Sequence, residues 1–133
     1  MAKLKLTLAI GDYEIVRALK EGAVEPDGIE LNVLTDMDST TRHWRFLRNQ
    51  DFDVAECSCS SYLVARDQGM PFEGIPVFLH RRFRHGFIFI NTEKGINDPK
   101  DLIGRKMGVK QYQSSAQLWM RGFLEHEYGV PHR

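Results

Sequence analysis

Short apolar segments alternate along the chain with segments of helical periodicity. Six segments bounded by turn residues predict β-strands, and the first (LKLTLAI) has strict period-2 alternation of side chains. The predicted strands are residues 4–10, 29–34, 52–56, 72–79, 87–91 and 106–110. Pro76 interrupts the fourth of these segments, which indicates an edge or irregular position because proline cannot donate to a strand ladder.

Helical patterns occupy most of the intervals between these strands, and each begins at a residue suited to an N-cap. Helices are predicted at residues 13–21, from 38–40 to about 49, and at 62–68. A short helix is predicted to begin at residue 99, and a long final helix to end near residue 128. Asp12, Asp38, Asp98 and Ser114 or Ser115 are the expected caps. Gly22, Gly69 and Gly129 are expected to end helices, because glycine adopts the left-handed conformation without strain.

Alternating strands and helices of this length predict crossover connections. The expected fold is α/β, with a mainly parallel sheet and helices on both faces. Ligands of such sheets bind beyond the carboxyl ends of the strands. The loops that follow strands are therefore where binding residues are expected.

The 133 residues carry 18 basic and 18 acidic side chains, so the formal charge is zero. A neutral chain is poorly suited to bind nucleic acid or an anionic membrane, which need a basic surface. No apolar run is long enough for a membrane span, and the start of the chain predicts a strand rather than a signal peptide. A cytoplasmic location is the expectation.

The neutral total hides an asymmetry. Residues 1–80 carry 8 basic and 13 acidic side chains, a net charge of −5, whereas residues 81–110 carry 8 and 3, a net charge of +5. The basic excess is densest at His80–His85 (HRRFRH). Arginine binds carboxylate or phosphate bidentately, so Arg81, Arg82 and Arg84 are either an anion site or a solvated basic edge.

Alternation in an extended segment would place Arg82 and Arg84 on one face and Arg81 and His85 on the other. His85 is the candidate general acid, because imidazole titrates near neutral pH; the alternative is a hydrogen-bonded hinge residue. His80 is a weaker candidate. No metal site is expected, because no further ligands stand at a recognised spacing.

Polar residues also follow three other strands. Glu56, Ser58 and Ser60 follow the third strand and lie on one side of it if the period of two continues. The two serines could bind substrate oxygens or only cap the following helix. Glu56 could accept a phenol proton or pair with an arginine. Asp12 and Tyr13 follow the first strand, where Asp12 could bind ligand or act as an N-cap. Tyr112, Gln113, Ser114 and Ser115 follow the sixth strand and begin the last helix. The N-terminus of this helix is suited to bind an anion.

Three stretches resemble the 4,5-dihydroxyphthalate decarboxylase family, whose fold is similar to type 2 periplasmic solute-binding proteins. They are FDVAECSCSSYL (52–63), IPVFLHRRFRHGFIFIN (75–91) and DLIGRKMGVKQYQSSAQLWMRGFLEHEYGV (101–130). The resemblance implies a two-lobed clamp of more than twice this length. Residues 1–92 would then be a segment of lobe one, and residues 93–133 the crossover and first βα unit of lobe two, so that the chain corresponds to the N-terminal part.

The resemblance also implies an activity, namely decarboxylation of an aromatic dicarboxylate such as 4,5-dihydroxyphthalate to protocatechuate and CO₂ without a cofactor. Arg82 and Arg84 would hold carboxylates, and His85 would protonate the ring carbon. The alternative is a non-catalytic protein of the solute-binding type that binds a small anion. A further alternative is an inactive, truncated relative that oligomerises.

The last βα unit cannot bury its own apolar face, which includes Leu118, Trp119, Phe123 and Leu124. It packs on the main sheet, pairs with another chain, or belongs to a longer protein. A homo-oligomer, with exchange of this unit between copies, is therefore expected.

Overall fold

A computed structural model describes residues 2–132 and divides the chain into two compact units, residues 1–58 and 59–133. The first unit contains three parallel strands, β1 (Leu4–Ala9), β2 (Ile29–Leu34) and β3 (Val54–Ala55), in the spatial order β2-β1-β3. This arrangement confirms the predicted α/β class with a parallel sheet. The proposed lobe boundary at residue 92 concerns a longer two-lobed protein and stays a prediction.

The central strand β1 pairs with β2 from Leu4 opposite Ile29 to Ala9 opposite Leu34. It pairs with β3 only at Leu8 and Ala9. Burial deepens along β1, from exposed Leu4 to fully buried Ala9. The carboxyl end of β1 is therefore the buried end, and the loop that follows it is held close to the core.

Two helical connections complete the first unit. A 3₁₀ turn (Glu14–Val16) runs into the single-turn helix α1 (Arg17–Lys20), so the helix predicted at 13–21 is shorter and less regular. Helix α2 (Ser39–Trp44) continues as a π-helical turn (Arg45–Asn49), as predicted for 38–49. Its N-cap is Asp38, whose carboxylate accepts from the backbone N–H groups of Thr40 and Thr41.

The second unit contains two longer helices, α3 (Cys59–Asp67) and α4 (Ser115–Tyr128). Ser114 is the N-cap residue of α4 and Gly129 ends it in the left-handed conformation, with φ +67°, so both predicted boundaries are confirmed. The 3₁₀ turn Pro99–Leu102 has the predicted Asp98 cap. Further 3₁₀ turns lie at His85–Phe87 and Thr92–Lys94.

One side of α4 supplies the core of the second unit. Met120, Phe123 and Leu124 are buried together with Val130. Three partly buried side chains pack against this cluster, namely Ile88, Leu102 and Tyr128. The exposed Trp119 and Leu118 lie outside it.

The strands predicted at 72–79, 87–91 and 106–110 are wrong, because the structure shows no strand in these residues. A strand needs a neighbour to accept and donate its backbone hydrogen bonds. Here Val77 N–H instead donates locally to Ile75 O at 2.8 Å, and Phe78 and Phe89 remain exposed. The apolar pattern is present, but the described chain provides no strand beside these segments.

Candidate functional site

Glu56 is the centre of a polar cluster in the first unit, directly after β3. Its backbone N–H donates to Ala9 O at 2.9 Å, which places it at the carboxyl end of both β3 and β1. Its carboxylate accepts from Gly11 N–H at 3.0 Å and from Arg42 Nη2 at 2.6 Å, both through Oε2. The Tyr13 hydroxyl lies 2.9 Å from Oε1 and 3.2 Å from Oε2. Three segments of the chain therefore meet on one carboxylate.

Arg42 is the charged partner that the sequence interpretation left unnamed. Its side chain is 2% exposed and that of Glu56 is 13% exposed, so the ion pair is shielded from water. Arg42 Nη1 also donates to Met37 O at 3.0 Å. Of the two roles considered for Glu56, pairing with an arginine is the one this geometry shows. The cap at Asp38 located the helix, but nothing local indicated which of its side chains would reach β3.

Tyr13 reaches Glu56 by lying across Gly11. A Cβ on Gly11 would stand 2.4 to 2.6 Å from the far end of the Tyr13 ring, far inside van der Waals contact. Glycine at position 11 is therefore what admits the ring. Burial raises the pKa of the Tyr13 hydroxyl, and Glu56 raises it further, so the phenol keeps its proton and acts as a donor.

His43 follows Arg42 on α2 and is also partly buried. Burial lowers the pKa of its imidazole, and the neighbouring Arg42 charge lowers it further. His43 Nε2 and Arg42 Nε are buried without a hydrogen-bond partner among residues 2–132. The histidine is thus held neutral beside a permanent cation.

Asp12 does not have the predicted role of N-cap. The cap position of the following 3₁₀ turn is Tyr13, and no side chain caps the turn. The Asp12 carboxylate is exposed and accepts from Lys20 Nζ at 2.9 Å. The chain turns one residue later than the sequence suggested, because Tyr13 stays extended (φ −106°, ψ 146°) while its ring crosses Gly11.

The serines after β3 do not continue the strand. Ser60 lies in the first turn of α3, so the expected period of two from Glu56 to Ser60 is wrong. Ser58 is half-buried and immediately precedes α3. Their roles as ligand residues stay predictions.

Ser60 and Ser115 bring the first turns of α3 and α4 together within the second unit. The buried Ser60 donates its N–H to Ser115 Oγ at 2.9 Å. Ser60 Oγ donates to the carbonyl of Gln113. Predicted cap residues from two distant segments therefore meet, and the Ser115 hydroxyl satisfies a backbone donor of the other helix.

The basic segment is exposed but not uniformly extended. Arg81 and Arg82 are exposed, whereas Arg84 is half-buried and has a helical backbone conformation (φ −85°, ψ −11°). The guanidinium of Arg84 lies 5.3 Å from the ring centre of Phe87. The alternation assumed for this segment therefore stops before Arg84, and Arg82 and Arg84 do not share a face by strand geometry.

His85 contacts α4 of the same unit. Its ring stacks on Phe123 with centroids 4.0 Å apart and planes 17° apart. Its Nε2 lies 3.1 Å from Glu127 Oε2. This is the hydrogen-bonded arrangement considered beside the catalytic role. His80 is exposed.

Tyr112 precedes α4, and one face of its ring contacts the guanidinium of Arg121. Arg121 places its guanidinium 3.7 Å from the Tyr112 ring centre and donates to the Tyr112 carbonyl at 2.9 Å. Tyr112 is itself 59% exposed. It therefore presents an accessible face next to a cation.

Two shallow grooves run beside β2 in the first unit. The side chains that line them include Leu19, Val24, Leu31 and Asn32, and none of the predicted ligand residues is among them. In the described part of the chain, no three His, Cys, Asp or Glu side chains are grouped closely enough to hold a metal ion. Within residues 2–132, no helix has the length and apolarity required to cross a bilayer.

The parallel sheet with its helical connections places the chain in the α/β class, and the family that it matches has a periplasmic-binding-protein-like fold. Residues 14–131 match the family described as NMT1/THI5 like. The chain belongs to this family.

Two curated relatives extend the comparison. The chain is 42% identical over 131 residues to a 4,5-dihydroxyphthalate decarboxylase of Comamonas testosteroni and 39% identical over 131 residues to one of Pseudomonas putida. Each match covers 98% of this chain. The chain spans 39% and 50%, respectively, of the lengths of these relatives.

Proposed function

We propose that this chain functions in the decarboxylation of a hydroxylated aromatic dicarboxylate of the 4,5-dihydroxyphthalate type. The observation that carries the proposal is the identity of 42% and 39% to two such decarboxylases, each over 98% of the chain. The clustering of arginines at 81–84 supports it, because a dicarboxylate needs more than one cationic partner.

The proposed chemistry places a proton where CO₂ leaves. A hydroxyl para to the departing carboxylate, partly deprotonated, pushes electrons into the ring, and the ring carbon that bears the carboxylate takes a proton. The C–C bond then breaks, CO₂ leaves, and the electron pair of that bond restores the aromatic ring and the phenolate. Arg82 and Arg84 hold the carboxylates, with Arg81 contributing charge. His85 donates the proton, since imidazole is the side chain whose ordinary pKa lies nearest neutral pH.

His85 needs a change of contacts for this role. Its present partners are Glu127, at 3.1 Å, and the Phe123 ring. Because His85 and Glu127 are both partly exposed, the hydrogen bond between them is weak enough to exchange for a ligand. Stacking on Phe123 keeps the ring oriented in the meantime.

The first turns of α3 and α4 support anion binding in the same unit. Backbone N–H groups at a helix N-terminus favour a negative charge. Ser114 adds a hydroxyl just before α4, whereas the hydroxyls of Ser60 and Ser115 hold the two turns together. Tyr112 lies just before α4, where its exposed ring can contact an aromatic ligand.

The experiment is a measurement of CO₂ release from 4,5-dihydroxyphthalate by the purified chain, with product identified by chromatography. We expect His85→Ala to abolish turnover while ligand binding, measured by calorimetry, is retained. His126→Ala changes an exposed histidine on α4 and is the matched control. The proposal fails if the chain releases no CO₂ from this substrate, or if His85→Ala turns over as the unaltered chain does.

A second proposed function is binding of an aromatic acid without turnover. The observation that favours it is that His85, the proposed proton donor, is already engaged by Glu127 through Nε2 and by Phe123 through its ring. Calorimetric binding that is lost in Arg82→Met, without CO₂ release, would support this function. Absence of binding for every aromatic acid tested would exclude both.

A further inference from the structure

The Glu56 cluster is built around a phenol that belongs to the protein itself. The Tyr13 hydroxyl donates to Glu56 Oε1 at 2.9 Å, whereas Gly11 N–H and Arg42 share Oε2. The ring reaches this position only because residue 11 has no Cβ. One phenol thus shares the Glu56 carboxylate with a backbone N–H and a buried guanidinium.

The three donors named above differ in how easily each can give up its hydrogen bond to Glu56. Arg42 is 2% exposed, and removing a buried charge from its partner is strongly unfavourable. Gly11 N–H belongs to the backbone directly after β1. Tyr13 is only half-buried, and it stands on a turn whose first residues have no side-chain cap. Tyr13 is therefore the donor that an incoming hydroxyl can replace.

We infer that Tyr13 occupies, within the free protein, the position of a ligand's phenolic hydroxyl, and that Glu56 selects phenolic ligands once Tyr13 moves away. The exchange replaces one phenol–carboxylate hydrogen bond by another of the same kind, so the number of hydrogen bonds on Glu56 is unchanged. Arg42 keeps Glu56 in place throughout. The inference rests on the proposed function for its ligand class, hydroxylated aromatic acids, but not for turnover.

The same geometry gives Gly11 a defined role as a positioning residue. Without a side chain at position 11, the tyrosine ring can lie over the backbone or leave it. A methyl group there would stand 2.4 to 2.6 Å from the far end of the ring, so the ring would have to shift from the position it holds over residue 11. Gly11→Ala should therefore have the same ligand selectivity as Tyr13→Ala. If Gly11 had only a structural role, the ligand selectivities of these two variants would differ.

The experiment compares calorimetric Kd values for 4,5-dihydroxyphthalate, phthalate and catechol. Tyr13→Phe removes the internal hydroxyl and should tighten the two phenolic ligands by about tenfold, with the phthalate affinity unchanged. Glu56→Gln should weaken the phenolic ligands by about tenfold and again spare phthalate. Tyr62→Phe, which removes a tyrosine hydroxyl from α3 in the second unit, is the matched control.

A spectroscopic measurement follows the exchange directly. In the chain with ring-labelled tyrosine, the resonance missing from Tyr13→Phe identifies Tyr13. Catechol should shift that resonance, and phthalate should leave it in place. This measurement does not depend on Glu56→Gln folding normally.

The outcomes separate this inference from the proposed function. A Tyr13 shift with catechol, together with tighter phenol binding by Tyr13→Phe, supports the inference even if no CO₂ is released. Equal weakening of phthalate and 4,5-dihydroxyphthalate by Tyr13→Phe overturns it, as does an unshifted Tyr13 resonance at saturating catechol, even if turnover is observed. Failure of Tyr13→Phe to bind any phenolic ligand overturns it as well.

Discussion

At the scale of single residues, the pairing of Arg42 with Glu56 fixes the position of the carboxylate. This carboxylate accepts hydrogen bonds from an arginine, a backbone N–H and a phenol, which suits it to act as a fixed acceptor. The same pair anchors α2 to the end of β3. The packing of α2 at this edge of the sheet and the ion pair between Arg42 and Glu56 therefore depend on one another.

Breaking this ion pair should be costly. We expect Arg42→Met to lower the free energy of unfolding by about 3–5 kcal/mol, because Glu56 would remain largely buried without its cation. Urea titration followed by circular dichroism measures the loss. Lys5→Met, at the exposed Lys5–Glu30 pair, is the control and should have little effect. Similar losses in both variants would contradict the prediction.

His43 should make the protein less stable in acid. Its pKa in the folded chain lies below the ordinary 6.5, so below pH 6.5 the unfolded chain binds more protons than the folded one. The free energy of unfolding should therefore fall as the pH drops below 6.5, until the folded-state pKa of His43 is reached. Denaturant titrations at a series of pH values should show this slope.

The contribution of His43 to that slope is isolated by substitution. His43→Gln should flatten the pH dependence just below 6.5, whereas His126→Gln, an exposed change on α4, should leave it as it was. An unaltered slope in His43→Gln would show that other groups cause the acid sensitivity.

At the scale of elements, local signals were sufficient for some helices and insufficient for three of the six predicted strands. The start of α2 followed from Asp38 and the end of α4 from Gly129, because a cap acts on its own first or last turn. The strand at Ile29–Leu34 was also predicted. The segment 72–79 has an equally apolar pattern, but whether it becomes a strand depends on a neighbour that its own residues do not specify.

The same distinction applies to the candidate site. Glu56 was identified because it follows a strand, but its partners Arg42, Gly11 and Tyr13 come from separate elements. The contact of His85 with Glu127 spans 42 residues. The local sequence predicts which residues follow a strand, but it does not predict which distant side chains will form hydrogen bonds with them.

The Asp38 cap should be a measurable part of the stability of α2. Asp38→Ala removes the acceptor for the Thr40 and Thr41 N–H groups, and we expect a loss of about 1 kcal/mol in the free energy of unfolding. Asp38→Asn keeps an acceptor and should recover most of that loss. If Asp38→Asn is as unstable as Asp38→Ala, the carboxylate acts through its charge and not as a cap.

At the scale of the whole molecule, apolar surface is distributed unevenly along the chain. In the second unit, Phe83 and Phe89 are each 89% exposed, and Ile75, Val77 and Phe78 are exposed nearby in sequence. Exposed apolar side chains in such numbers are typical of surfaces that another polypeptide covers. We therefore propose that the chain associates with other copies of itself in solution.

Sedimentation equilibrium at micromolar concentrations tests this association. We expect an average mass above that of the monomer, and a return to the monomer mass when Phe83 and Phe89 are both changed to serine. The matched control changes two exposed apolar residues of the first unit, Ile15 and Val24, to serine and should leave association intact. A monomer mass for the unaltered chain at all concentrations would refute the proposal.

The close approach of the Tyr13 ring to Gly11 also constrains how this sequence can diverge. A side chain at position 11 and a large ring at position 13 are mutually exclusive in the observed arrangement. A lineage that replaces the tyrosine with a small residue is released from the need for glycine, whereas one that first acquires a side chain at position 11 loses the tyrosine contact. The two positions should therefore change as a pair across descendants, and the order of the two changes should be tyrosine first.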